Sequence, residues 1–64
     1  MSKKNEVNER LDAKRGELAD AEAALVQAEK DMDTDEVISQ TQRINVLRGF
    51  IATLEAEAAE AVEA

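Results

Sequence analysis

Asp31-Met32-Asp33-Thr34-Asp35-Glu36 stands midway along a chain of 64 residues, between two long stretches of helical spacing. How this segment is read decides the fold. A helix continuing through it makes the chain a single rod suited to a parallel coiled coil, whereas a break folds the chain back into a hairpin. Neither Gly nor Pro forces a turn here, so the reading rests on the phase of the apolar residues on either side and on capping chemistry.

On the N-terminal side the apolar residues fall on one stripe. Leu11, Leu18, Leu25 and Met32 repeat every seven residues as the a positions of a heptad, and Val7, Lys14, Ala21 and Ala28 take the d positions. Large and small residues thus alternate along one face, and the small ones let a partner helix come close. Lys14 is the polar exception and is expected to snorkel toward solvent. On the C-terminal side Val37, Ile44, Leu47, Ile51, Leu54, Ala58 and Ala61 recur at steps of three and four or their sum, a second heptad seam.

The two seams are out of phase. Carried past Met32, the first a series falls on Ser39, Val46, Thr53 and Glu60, whereas the second stripe occupies Val37, Ile44, Ile51 and Ala58. The offset centres on the acidic segment, where Asp33, with Thr34 as an alternative cap, and Glu36 three residues on make a capping-box-like arrangement. Asp35 and Glu36 add negative charge at a helix N-terminus, where the macrodipole favours it. The expected fold is therefore all-α: an antiparallel two-helix hairpin, one domain over 1–64, with helices at about 5–31 and about 36–62 and a turn at about 32–35.

Charge supplies a second line of argument. Residues 1–15 carry five basic and three acidic side chains, and residues 55–64 carry four acidic and no basic ones. A hairpin sets these segments side by side, and turning about the tip brings Arg15 near Glu55 and Glu22 near Arg48. Exposed pairs of this kind are worth about 0.2–1 kcal/mol each, so they choose register more than they supply stability.

In architecture, the Met32-Asp33-Thr34-Asp35-Glu36 turn between two heptad seams resembles the ROP-type plasmid regulators. That resemblance implies two hairpins pairing into an antiparallel four-helix bundle. The RNA-binding face of that family is a polar and aromatic set on its first helix; here the first helix has no aromatic residue, so the resemblance extends to architecture only.

Composition bounds the function. A chain this short buries only about 60% of its unfolded surface, and with no Cys or His it has neither disulfide nor zinc to help, which leaves oligomerisation or very regular helix packing. A homo-oligomer, a dimer in the first instance, is expected. No apolar run reaches the roughly 20 residues of a membrane span, and Met1-Ser2-Lys3-Lys4 leads into a charged stretch without the apolar centre of a signal peptide, so a cytoplasmic location is expected and no membrane partner. The net charge of −7 opposes general binding to nucleic acid or anionic membrane.

Two glycines interrupt the helices at outward positions, Gly16 and Gly49. Gly49 lies beside Val46, Phe50 and Thr53, and these four form a candidate oligomer or partner interface, with the glycine admitting a neighbouring backbone and Phe50 anchoring it. The competing reading leaves Gly49 a tolerated surface glycine and folds Phe50 over the seam. Residues 16–36 hold eight carboxylates against one Lys30, from which Asp20, Glu22 and Glu29 form a candidate acidic partner face.

Motifs for chemistry are sparse. Asp31-x-Asp33-x-Asp35 opens like a calcium loop, but the tight-turn position is Glu36 instead of Gly and the distal ligand position is Gln42, so no metal site is expected. Lys3, Lys4, Arg10, Lys14 and Arg15 make one basic region, faced by the acidic second helix and lacking an aromatic to stack on bases. With no His, Cys or Tyr and no cleft in a two-helix unit, neither enzyme activity nor a cofactor is expected. The expectation is a non-enzymatic acidic helical protein that self-associates and acts through another protein, of the phage or plasmid accessory, assembly or inhibitor kind. The alternative is a nucleic-acid-directed regulator, or an acidic DNA mimic that fills a partner's basic groove.

Overall fold

The computed structural model describes the backbone of residues 3–63 and the side chains of residues 5–60. Two helices, α1 (Lys3–Lys30) and α2 (Thr34–Glu63), lie against each other as an antiparallel hairpin. Both helices begin two residues earlier than their spacing predicts, and the connection shrinks to Asp31, Met32 and Asp33.

The backbone hydrogen bonds explain how so short a link reverses the chain. Met32 has φ of 57°. The Met32 N–H donates to Glu29 O at 3.2 Å and the Asp33 N–H to Ala28 O at 3.0 Å, the paired bonds of a Schellman C-cap with Met32 as its left-handed residue. Asp33 then starts the next helix: its carboxylate Oδ1 accepts the Glu36 N–H at 3.2 Å and its carbonyl accepts the Val37 N–H at 3.0 Å. One residue closes α1 and caps α2, and the cap is Asp33 while Thr34 is already helical.

Two expectations change here. Met32 is not part of the seam: it is 87% exposed, because the left-handed conformation that ends α1 turns it away from the heptad stripe. The capping box is half formed, since the Asp33 N–H is taken by Ala28 and the Glu36 carboxylate instead accepts the Gln40 Nε2 at 2.6 Å.

The core is one row of side chains deep. Val7 and Leu11 pack with Ile51 and Leu54 toward the open end, joined by Ala58; Ala21 packs with Ile44 and Leu47 toward the tip, joined by Leu25; and Leu18 touches both groups. Ala28 is also buried, and Val37 is half-buried. Toward the tip the small Ala21 of α1 faces Ile44 and Leu47 of α2, which fill the space it leaves, and no polar or charged side chain is buried among the described residues. Ala61, the last expected seam position, lies outside the residues whose side chains are described. Gln40 occupies the α2 seam between Val37 and Ile44, half-buried, with its Oε1 lacking a hydrogen-bond partner within the protein.

The outcome is long and thin, 49 × 16 × 11 Å, with a radius of gyration of 14.7 Å where a compact chain of this length has about 11 Å. There is no third layer, so every helix face other than the seam is open to solvent or to a partner.

Candidate interaction surface

Each helix turns about 100° per residue, so the positions flanking the seam divide into two sides. On the first side Arg15 Nη2 donates to Glu55 Oε2 at 3.1 Å, and Arg48 Nη2 lies 3.6 Å from Glu22 Oε2, an ion pair without a hydrogen bond. These are the two pairings expected from the charge pattern, and they fix the alignment of the helices. All four side chains are at least half exposed, so their worth is in orientation.

The second side is built differently. Phe50 stands about 140° round α2 from Glu55, on the other side of the seam, and Lys14 Nζ of α1 sits 5.3 Å from its ring centroid. The same ammonium lies 3.1 Å from Glu17 Oε2. Lys14 therefore does not simply reach for water: its stem crosses the helix interface and its charge is shared between a carboxylate and an aromatic face. Phe50 is still 54% exposed, and Val46, one turn away, is 60% exposed.

Val46, Gly49, Phe50 and Thr53 are thus brought together on one band of α2, about 100° wide. A Cβ added at Gly49 would meet nothing within 4 Å, so the hairpin itself has no need of a glycine there. The Thr53 hydroxyl donates to the Gly49 carbonyl at 3.1 Å, so its polar group is satisfied within α2. Two charged residues complete the band: Arg43 and Glu57 stand seven residues to either side of Phe50, within about 20° of it around the helix. Neither has an ion-pair partner among the described residues. The spacing of this pair about Phe50 is visible in the sequence, but only after Phe50 is known to face outward.

The remaining exposed large apolar side chains among the described residues are Val26, Ile38 and, at the tip, Met32; scattered exposure of this kind is ordinary on a protein surface. The acidic set does not hold together as one face. Glu22 is engaged with Arg48, and Asp20 lies about 160° round α1 from Glu22, so Asp20, Glu22 and Glu29 cannot address one partner surface together.

At the tip, the Asp31 carboxylate accepts the Gln27 Nε2 at 3.0 Å, the Asp33 carboxylate accepts the Glu36 N–H and the Glu36 carboxylate accepts the Gln40 Nε2. No group of three or more His, Cys, Asp or Glu side chains among the described residues is arranged to hold a metal ion. No helix among them is long and apolar enough to cross a membrane. Compared with protein-family models, curated proteins and solved structures, the chain matches none.

Proposed function

We propose that this chain is a non-enzymatic acidic interaction module that self-associates, two hairpins forming a four-helix bundle of the coiled-coil type, and that it works by engaging another protein. By size and charge it is of the phage or plasmid accessory kind, an assembly or inhibitor factor acting in the cytoplasm. One observation carries the reading: Val46 and Phe50, 60% and 54% exposed, form an apolar pair one turn apart on one band of α2, beside an unfilled glycine. Supporting it, the chain exposes 4655 Å² at 7.0 kDa, where a compact monomer of that mass exposes about 4,000 Å². The excess, about 600 Å², is close to the roughly 800 Å² that each partner contributes to a standard interface.

The non-enzymatic reading is supported by composition, since the sequence offers no His, Cys or Tyr for acid–base or nucleophilic chemistry. The DNA-mimic alternative needs carboxylates gathered on one face, and the angular spread of Asp20 and Glu22 does not favour it. Sedimentation equilibrium from micromolar to millimolar concentration tests self-association, with a dimer of two hairpins expected. A folded monomer throughout that range would remove the proposal.

A further inference from the structure

We propose that the band Arg43, Val46, Gly49, Phe50, Thr53 and Glu57 seats the same band of a second copy, with the two α2 helices antiparallel about a two-fold axis beside Phe50. The inference rests on the self-association reading above and adds to it the face, the direction and the register.

The argument is one of symmetry. Placing an antiparallel copy of α2 against itself with its centre at Phe50 pairs position 43 with position 57, because each lies seven residues from the axis. Arg43 then meets the partner's Glu57, and by the two-fold axis Glu57 meets the partner's Arg43, so two charges without ion-pair partners among the described residues become two complementary pairs. Val46 falls within one residue of the partner's Thr53, and the two Phe50 rings meet near the centre. Gly49 lies one residue from the axis at the edge of the band, where a backbone without a Cβ permits close approach, and this gives the glycine a purpose that the isolated hairpin does not supply. A parallel pairing sets Arg43 against Arg43 and Glu57 against Glu57, which like-charge repulsion opposes. The axis is also well placed along the hairpin. Phe50 lies near the middle of its length, so the overlap of the two copies is close to complete, and on α1 the neighbouring Glu17 is already neutralised by Lys14.

Charge exchange tests this without touching the seam. Arg43→Glu and Glu57→Arg each place like charges together twice in the dimer, and each should weaken dimerisation by about ten-fold in sedimentation equilibrium, while circular dichroism shows unchanged helicity. The double variant R43E/E57R restores opposite charges at both sites and should return to within about three-fold of the original dimer affinity. Gly49→Ala, for which the hairpin has open space, should weaken the dimer while leaving the helix content equal or higher. If the parent protein dimerises and none of these variants weakens it, the band is not the interface and the self-association reading stands. If single variants weaken it but the double variant is weaker still, the antiparallel register is wrong. A parent protein that is monomeric at all concentrations overturns both readings.

Discussion

On one flank of the seam Arg15 is paired with Glu55 and Glu22 with Arg48; on the other, Phe50 and Val46 stand more than half exposed, and Arg43 and Glu57 carry charges with no ion-pair partner among the described residues. The first flank is largely matched within the chain, because two charges of α1 beside the seam there meet opposite charges of α2. The second is completed only in part, by Lys14 above the Phe50 ring, and leaves apolar surface and two opposite charges in a symmetric arrangement. Within one chain, ion pairs choose how two helices align; what lies unmatched beside them indicates where the next molecule fits.

The largest effect should come from the seam that both flanks border. Leu47→Ala removes a side chain packed against Ala21 and Ile44, and is expected to cost about 2–4 kcal/mol by urea unfolding. If deleting a flank pair costs as much, the division between a stabilising seam and orienting flanks fails. A smaller effect of opposite sign, independent of either flank, is expected at the tip: Met32→Gly relieves a left-handed residue with a side chain and should stabilise the hairpin by about 1 kcal/mol in thermal melts.

The two glycines divide the flanks more finely. Gly16→Ala and Gly49→Ala both have open space, and each should raise the stability of the dilute protein by about 0.5–1 kcal/mol. At high protein concentration the gain at Gly16 should persist and that at Gly49 should shrink; equal behaviour would erase the distinction between the sides. The smallest effect belongs to the paired flank. A double-mutant cycle on Arg15→Ala and Glu55→Ala should give a coupling of about 0.2–1 kcal/mol that falls as salt is raised toward about 1 M.

The hairpin and its register were legible in the sequence because each leaves a long-range trace. The out-of-phase seams mark the break, and charges of opposite sign at matching distances from it locate Arg15 against Glu55 and Glu22 against Arg48. What misled was local. Met32 continues the heptad by spacing, but a helix end is set by backbone conformation, and the usual glycine signal for a left-handed residue is missing there. Gln40 escapes a search for apolar residues although it sits in the seam, and its unpaired Oε1 marks the least satisfied position in the core. Counting carboxylates identified an acidic region but not a face, because sign adds along the chain whereas a face depends on angle, and Asp20 and Glu22 point apart. The contact between Lys14 and Phe50 joins two helices through side chains whose meeting no spacing rule announces.

The double use of Asp33 has a consequence for which changes in length the chain can accept. Because this residue ends α1 and caps α2 with nothing between, the link has no spare residue in which an insertion could be absorbed. One residue added at the tip would rotate α2 by about 100° relative to α1, carrying Ile44, Leu47, Ile51 and Leu54 off the seam together. Seven residues added to each arm would keep every one of them in place, lengthening the hairpin by about 10 Å. Length variation in such a chain is therefore expected in matched heptads along the arms, with the tip held constant.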